Sequence, residues 1–286
     1  MISVIMSAYN ASKTITRAIE SMLNQTYKYW ELVIVDDKST DNTLDIINKY
    51  EDDRIKVITH SENLGAGFAR RTGIENMTGE WMTFLDSDDY LKEDCLATLF
   101  FASKIIDADI INAGMTIVNQ NNDIILEKIP EFNVETGGAK FSQDKGDTKR
   151  FTHGMLFKGS LWNKVQYSSR RYIEDTPTLV QLLYYADKVF NINYSGYYYV
   201  QNDSSLTHQA SDMKNTIFQA LCVKDINNFF ASVSHSELLN IEHFNKLYNH
   251  IVENINDQDK LLYNFEINEL TNYNNSIYET KTSKND

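Results

Sequence analysis

An apolar run in the first third of the chain passes directly into a group of carboxylates: Trp81-Met82-Thr83-Phe84-Leu85-Asp86-Ser87-Asp88-Asp89. A short apolar run that ends in a polar turn is typical of a buried strand. A tight turn after this strand would bring the acidic side chains close together, and hard oxygen ligands of this kind suit Mg²⁺ or Mn²⁺. The alternative is an acidic turn that caps a helix from Leu91 to Ser103, where aspartate is favoured without any metal.

Short apolar runs alternate with helical patterns along the first half of the chain. Between the first two runs, apolar residues recur at helical spacing from Ile15 to Leu23. Such alternation is the signature of βαβ units, so we predict an α/β fold in which a mostly parallel central sheet is flanked by helices. The predicted strands are Ser3–Met6, Leu32–Val35, Ile55–Ile58, Met82–Leu85 and Ile110–Ala113.

Polar residues follow three of the predicted strands. Ser7-Ala8-Tyr9-Asn10 follows the first strand, Asp36-Asp37-Lys38-Ser39 follows the second, and the acidic group follows the fourth. Ligands of parallel sheets bind beyond the carboxyl ends of the strands. We therefore expect these three loops to build one site at a single edge of the sheet.

The second half of the chain has weaker periodicity. Residues 119–150 lack a clear pattern, which predicts irregular structure or a hairpin. Apolar spacing from Met213 to Tyr273 predicts helices, and the polar tail after Asn274 is expected to fray. Between these segments we predict a helix, Thr176–Ala186, and two short strands, Val189–Ile192 and Tyr197–Val200.

The formal net charge of -13 argues against a broad basic surface for nucleic acid or anionic lipid. One segment, from Lys145 to Arg171, is locally basic. The start of the chain lacks the features of a signal peptide, and no apolar stretch is long enough to span a membrane, so we expect a cytoplasmic protein. Cys95 and Cys222 are expected to be buried free thiols.

Four blocks of sequence resemble the family 2 glycosyltransferases of the GT-A fold. The resemblance is strong over residues 1–120 and weaker as far as about residue 210. The four blocks are Val4-Ile5-Met6-Ser7-Ala8-Tyr9-Asn10, Val35-Asp36-Asp37-Lys38-Ser39-Thr40-Asp41, Asn63-Leu64-Gly65-Ala66-Gly67-Phe68-Ala69-Arg70 and Phe84-Leu85-Asp86-Ser87-Asp88-Asp89.

The resemblance implies a Rossmann-like GT-A catalytic domain over residues 1–210. Residues 1–118 would form the half that binds a nucleotide-sugar, and residues 119–210 the half that binds the acceptor. A C-terminal helical appendage over residues 211–286 would follow, through which the protein could form oligomers.

The resemblance also assigns donor-binding roles to individual residues. Ser7, Tyr9 and Asp37 match positions that contact the nucleobase, with Asp37 accepting a hydrogen bond from uracil N3–H. Arg70 matches an arginine near the diphosphate, which suits its charge-assisted bonds to phosphate. Asp86 matches the carboxylate near the ribose. For each residue alone, a structural role in a turn or cap is the alternative.

Four further residues match the metal and catalytic positions of the family. Asp88 matches the carboxylate that holds Mn²⁺ or Mg²⁺ in the DXD motif, and His208 matches a histidine that completes the metal shell in some relatives. Glu174 and Asp175 resemble the Glu-Asp pair at the start of a helix, where the aspartate deprotonates the acceptor hydroxyl. The alternative is that Glu174 and Asp175 only cap the helix. Tyr197-Tyr198-Tyr199 either packs in a sheet or forms a sugar platform.

The predicted function is an inverting, metal-dependent transfer of a sugar from a UDP-sugar to an acceptor hydroxyl on a glycan, a lipid-linked sugar or a wall polymer. One alternative acceptor is a hydroxymethylated base in DNA, with the basic segment from Lys145 to Arg171 contacting phosphate. The net negative charge weighs against that alternative. A non-catalytic nucleotide-sugar-binding or scaffold protein is the alternative from another functional class.

Overall fold

The computed structural model describes residues 1–137, 152–167, 175–201, 212–235 and 238–282. The chain divides into two compact units, Met1–Asn202 and Asp203–Asp286. Glu174, His208 and parts of the basic segment from Lys145 to Arg171 lie outside the described residues, so their predicted roles stay predictions. The domain boundary between residues 210 and 211 also stays a prediction, because residues 202–211 lie outside the described part.

The first unit contains two sheets and the helices that cover them. Its helices are α1 (Ile15–Leu23), α2 (Thr43–Ile47), α3 (Ala66–Glu75), α4 (Cys95–Ile105) and α5 (Asp175–Tyr185). Its strands are β1 (Ile2–Ala8), β2 (Trp30–Asp36), β3 (Ile55–Thr59), β4 (Trp81–Phe84), β5 (Tyr90–Leu91), β6 (Ile110–Asn112), β7 (Met115–Val118), β8 (Ile124–Lys128), β9 (Asn133–Thr136), β10 (Met155–Lys158), β11 (Lys188–Asn191) and β12 (Tyr197–Val200).

The main sheet has eight strands in the order β3-β2-β1-β4-β10-β6-β11-β9. The first four of these strands are parallel, whereas β10 runs antiparallel between β4 and β6, and β9 is an antiparallel edge strand. The apolar side chains of β1, β2 and β4 are buried, as expected for parallel strands covered on both faces. The predicted α/β architecture is confirmed.

Strand register brings the polar loops to one edge of the sheet. Ala8 at the end of β1 lies opposite Asp36 at the end of β2. On the other side of β1, Ile5 lies opposite Phe84 in β4, and Leu85 N donates to Ile5 O over 3.0 Å. The loops that follow β1, β2 and β4 therefore begin side by side.

The smaller sheet has the order β5-β12-β7-β8. Its strand β5 corrects a prediction, because Tyr90 and Leu91 pair with β12 and the helix predicted from Leu91 begins at Cys95 instead. Lys92 N donates to Gly196 O, which holds this part of the chain extended. Residues 119–150 were predicted to be irregular or to form a hairpin, and their first part forms β8, which pairs with β7 as a hairpin, and then β9.

The second unit consists of helices α6 (Asp212–Ser232), α7 (Ile241–Asn254), α8 (Asp257–Leu262) and α9 (Asn264–Thr282). The tail after Asn274 was predicted to fray, but it is helical as far as Thr282, and residues 283–286 lie outside the described residues. Helix α9 packs on α6 and α7 through tertiary contacts. Lys224 Nζ lies 2.6 Å from Glu269 Oε1, and the Phe244 and Tyr273 rings meet edge to face at 4.8 Å. Oligomer formation through these helices stays a prediction.

Two further features agree with the expectations. Cys95 and Cys222 are buried free thiols. Within the described ranges, no helix is both long enough and apolar enough to cross a bilayer.

Candidate active site

The centre of the site is the carboxylate of Asp86, at the start of the loop that follows β4. Arg70 Nη2 donates to Asp86 Oδ1 over 2.7 Å, and His153 Nε2 lies 3.0 Å from Oδ2. Burial by itself raises the pKa of Asp86, but the charges of Arg70 and His153 outweigh burial and lower that pKa well below its usual value. Asp86 is therefore an anion held between two basic groups.

Asp89 anchors the same loop to the smaller sheet. Its side chain is fully buried and accepts hydrogen bonds from Tyr197 Oη, over 2.5 Å, and from Val200 N, over 2.8 Å. Burial, followed by the charges of Asp88 and Asp86, raises the pKa of Asp89. The role of Asp89 is thus to fix the loop, because both of its oxygens are already engaged within the fold.

Asp88 has the geometry and charge expected of a metal ligand. One carboxylate oxygen from each of Asp86, Asp88 and Asp89 lies within 4.8 Å of the others. Burial and then the charge of Asp86 raise the pKa of Asp88 to about 6. Arg17 Nη2 bonds to the backbone oxygen of Asp88, at 2.6 Å, and not to its carboxylate. A divalent cation would offset the crowding of negative charge, so this oxygen donor set fits Mg²⁺ or Mn²⁺.

Asp175 reaches the same cluster from the other half of the unit. It is the first residue of α5, and its side chain is half-buried. Burial raises the pKa of Asp175, the charges of Arg70 and His153 oppose that effect, and the charge of Asp86 adds to it. The net pKa is raised, so the carboxyl group of Asp175 is subject to the charges of Arg70, His153 and Asp86.

Asp37 lies at the end of β2 and is almost completely buried. Its Oδ1 accepts from His60 Nδ1 over 2.7 Å and from Leu64 N over 2.9 Å, and its Oδ2 accepts from Gly65 N over 2.6 Å. A carboxylate offers about four lone-pair positions, so Oδ2 can accept one further hydrogen bond. His60 is fixed in turn, since its Nε2 lies 2.9 Å from Thr72 Oγ1.

Ser7 and Tyr9 lie at the end of β1, beside the loop of Asp37. Ser7 is half-buried, while the Tyr9 side chain is 49% exposed. Asn10 ties the two loops together, because its Oδ1 accepts from Thr40 N over 2.8 Å. The tyrosine ring is therefore displayed on a loop of fixed position.

Residues 3–163 match the family model described as Glycosyl transferase family 2. The chain belongs to this family. The predicted resemblance is thus confirmed over more than half of the chain, and the chain is a glycosyltransferase. Family membership argues against the alternative of a non-catalytic binding protein.

Relatives of this family 2 chain include two bacterial enzymes. Glycosyltransferase GlyG of Streptococcus pneumoniae is 29% identical over 230 residues, which cover 74% of this chain and 75% of GlyG. The Escherichia coli enzyme UDP-Glc:alpha-D-GlcNAc-diphosphoundecaprenol beta-1,3-glucosyltransferase WfaP is 48% identical over 90 residues, which cover 32% of this chain and 36% of WfaP. The match to WfaP thus spans only about a third of that protein.

Among solved structures, S. aureus TarS 1-349 in complex with UDP resembles this family 2 chain with a TM-score of 0.69. The sequences are 20% identical, and the match covers 95% of this chain and 80% of TarS 1-349. The likeness confirms the predicted GT-A fold.

Two histidines of this family 2 site were missed by the sequence analysis. His153 lies outside any periodic pattern, two residues before the start of β10, and approaches Asp86 because β10 inserts beside β4. The following residue, Gly154, has a φ of +75°, and a Cβ there would lie 2.1 Å from Gly114 O. A histidine next to a glycine before the apolar run of β10 was the available signal. His60 gave no local signal, since its partners lie in β2 and α3.

Proposed function

We propose that this glycosyltransferase moves a sugar from a UDP-sugar to a hydroxyl group of a saccharide acceptor, with inversion and with a divalent metal ion held by Asp88. The observation that carries the proposal is the cluster at the end of β4. In this cluster Arg70 and His153 hold Asp86, the charge of Asp86 raises the pKa of Asp88, and the charges of Arg70, His153 and Asp86 act on Asp175.

Recognition of the nucleotide is proposed for the edge formed by β1 and β2. The remaining lone pair of Asp37 Oδ2 can accept from uracil N3–H, a donor that cytosine lacks. The exposed ring of Tyr9 offers a face for the base, and Ser7 offers a hydroxyl beside it. Use of UDP is also supported by the name of WfaP, which specifies UDP-Glc, and by the UDP complex of TarS.

The ribose and the diphosphate are proposed to lie over Asp86, Asp88 and Arg70. Asp86 is ionised and oriented by two basic neighbours, so it can accept hydrogen bonds from ribose hydroxyls. Arg70 presents a guanidinium that suits phosphate oxygens. A divalent metal bound to Asp88 would act as a Lewis acid towards the departing nucleoside diphosphate. His208 is proposed as a further ligand of that metal.

Asp175 is proposed as the general base. In an inverting displacement, Asp175 takes the proton of the acceptor hydroxyl while that oxygen bonds to the anomeric carbon. The bond from the anomeric carbon to the diphosphate breaks, and its electron pair leaves with UDP. The raised pKa of Asp175 brings this carboxylate closer to neutral pH, where a general base is most effective. Glu174 is proposed to assist at the same helix start.

The acceptor is proposed to be a sugar hydroxyl on a glycan, a lipid-linked sugar or a wall polymer. The name of WfaP specifies a sugar linked to diphosphoundecaprenol, which supports the lipid-linked class. The net charge of -13 opposes binding to DNA, so we expect no retention on hydroxymethylated DNA at low salt.

The test is release of UDP from a panel of UDP-sugars with and without Mn²⁺, together with thermal-shift measurements of UDP binding. We expect one UDP-sugar to be hydrolysed or transferred, and we expect both UDP binding and turnover to depend on the metal in wild type. Asp88→Ala should abolish the metal dependence. The proposal is wrong if wild type neither releases UDP nor binds it in a metal-dependent way across the panel.

A further inference from the structure

One face of the smaller sheet carries a pair of stacked tyrosines. Tyr90 of β5 and Tyr198 of β12 are cross-strand partners, and their rings are parallel within 4°, with centroids 4.7 Å apart. Both side chains are half-buried. The alternate residues Leu91 and Tyr197 are buried, so Tyr90 and Tyr198 lie on the opposite face of these two strands.

The tyrosine pair is held at a fixed position beside the acidic loop. Arg17 Nη2 bonds to the backbone oxygen of Asp88 over 2.6 Å, and Arg17 Cζ lies 5.1 Å from the centroid of the Tyr90 ring. On the other strand, Asp89 binds Val200 N, two residues beyond Tyr198. Through these contacts of Arg17 and Asp89, both tyrosine rings are tied to the loop that carries the proposed metal ligand Asp88.

The two rings line a cleft of about 670 Å³. Its polar side chains come from Asn122, whose Oδ1 accepts from Tyr90 Oη over 3.3 Å, and from Lys92, Glu93 and Asp94. Asp94 is fixed by a 2.6 Å hydrogen bond from Tyr194 Oη. The cleft thus combines flat aromatic rings with amide, carboxylate and ammonium groups.

This combination matches the chemistry of a sugar. A pyranose has apolar C–H faces that pack on aromatic rings, and hydroxyl groups at its edge that bond to amides and carboxylates. Lys92 is accompanied by two carboxylates, Glu93 and Asp94, so the cleft has no excess of positive charge that would select phosphate. A neutral saccharide fits the lining better than a phosphate polymer does.

We infer that the cleft beside Tyr90 and Tyr198 is a saccharide subsite, which binds a sugar residue of the acceptor other than the residue that is glycosylated. The inference rests on the proposed function, since it takes the acceptor to be a saccharide. It adds that the acceptor has at least two sugar residues and that longer acceptors bind more tightly.

The test measures binding of chitotetraose, cellotetraose and laminaritetraose, and of their monosaccharides, by saturation-transfer NMR and titration. We expect at least one tetraose to bind wild type more tightly than its monosaccharide. Tyr198→Leu removes the ring but keeps an apolar strand residue, and it should raise the Kd of that tetraose about tenfold. Tyr198→Phe keeps the ring and should bind like wild type.

Controls separate loss of the subsite from loss of the fold. Tyr29, which is 75% exposed in the turn before β2, provides the matched variant Tyr29→Leu, which should leave the Kd unchanged. UDP affinity with Mn²⁺ should be the same in all variants. If Tyr198→Leu lowers thermal stability but binds the tetraose like wild type, the stacked pair serves only the sheet, and the inference is overturned.

The outcomes also distinguish the subsite from the proposed function. If wild type transfers sugar from UDP but binds none of the three tetraoses, the subsite is overturned while the function stands. If a tetraose binds in a Tyr198-dependent way but wild type neither releases UDP nor binds it in a metal-dependent way, the cleft stands as a saccharide site while the proposed function is overturned.

Discussion

Nε2 of His153 lies 3.0 Å from Oδ2 of Asp86, on the side of the carboxylate opposite to the bond from Arg70. The contact is an ion pair and is not aligned as a hydrogen bond. Burial lowers the pKa of His153, but the charge of Asp86 outweighs burial and raises that pKa above its usual value. Asp86 is thus neutralised from two sides by residues that come from different parts of the chain.

Replacing His153 should weaken binding of the donor. In His153→Ala, Arg70 is the cationic partner that Asp86 keeps among the described residues, and we expect the KM for the UDP-sugar to rise about tenfold, or about 1.4 kcal/mol. Steady-state kinetics with the preferred donor give the measurement. His243→Ala, in which an exposed histidine of α7 is removed, is the matched control. An unchanged KM in His153→Ala would show that Arg70 alone is sufficient to hold Asp86 for donor binding.

The ion pair between His153 and Asp86 should make the KM for the donor depend on pH. Because the folded-state pKa of His153 is raised, its positive charge is fully present at low pH and is lost as pH rises through the raised value. We expect the KM of wild type for the donor to rise with pH over that range, while the KM of His153→Ala stays flat. Parallel pH profiles of the two proteins would contradict the prediction.

Replacing Asp175 should affect turnover and not donor binding. In Asp175→Asn the carboxylate that takes the acceptor proton is lost, so we expect kcat to fall by about 10² to 10⁴. The Kd for UDP with Mn²⁺ should stay within about twofold, because the side chain remains similar in size and shape. Asp187→Asn, an exposed aspartate just beyond the end of α5, is the control. A kcat close to wild type in Asp175→Asn would assign the base elsewhere.

Replacing Asp88 should stabilise the metal-free protein while it abolishes metal-dependent activity. Since the folded-state pKa of Asp88 is raised to about 6, ionising this group destabilises the fold, and the penalty is complete above pH 6. We expect Asp88→Asn to raise the free energy of unfolding by about 1 to 2 kcal/mol at pH 7.5, less than the full pKa shift implies, because Asp88 is partly exposed.

The difference between Asp88→Asn and wild type should shrink below pH 6 and vanish only below about pH 3, where Asp88 is protonated in both folded and unfolded wild type. Chemical denaturation of both proteins in EDTA at several pH values measures this difference in the free energy of unfolding. A constant difference, or a destabilised variant at pH 7.5, would contradict the electrostatic explanation.

His60 should support recognition of uracil through Asp37. In His60→Leu, Asp37 Oδ1 keeps only Leu64 N, so its carboxylate is held less firmly and we expect UMP to bind about threefold to tenfold more weakly. His60→Gln retains an amide donor and should bind UMP closer to wild type. Calorimetric titration with UMP and CMP distinguishes the variants. Equal UMP affinity in wild type, His60→Leu and His60→Gln would show that His60 does not support recognition of uracil.

Local patterns in the sequence were sufficient to predict the strands on which the site is built. β1, β2, β3 and β4 are apolar runs with helical patterns between them, and loops that follow parallel strands collect at the carboxyl edge of the sheet. The loops of Tyr9, Asp37 and Asp86 were accordingly expected at one edge. The roles proposed for the individual donor-binding residues still depend on the tests above.

Other parts of the site could not be predicted from local patterns. The two residues of β5 are too few for a periodic signal, and Leu91 was predicted to begin a helix although β5 pairs with β12. Asp89 was grouped with the metal ligands on the basis of its position, yet it binds Tyr197, which is 108 residues away. No spacing in the acidic loop distinguishes the aspartate that anchors the loop from the one that is available to a cation.

The sequence by itself determined the α/β class, the family and the edge of the sheet at which the carboxylates collect. These features depend on hydrophobic periodicity and on short motifs, which act over a few neighbouring residues. Only the tertiary structure decided which carboxylate is paired with basic groups, which anchors the loop through hydrogen bonds and which is proposed to hold a metal. Those assignments depend on burial and charge at Asp86, Asp88 and Asp89, which are set by β10 and β12 when they fold back beside the acidic loop.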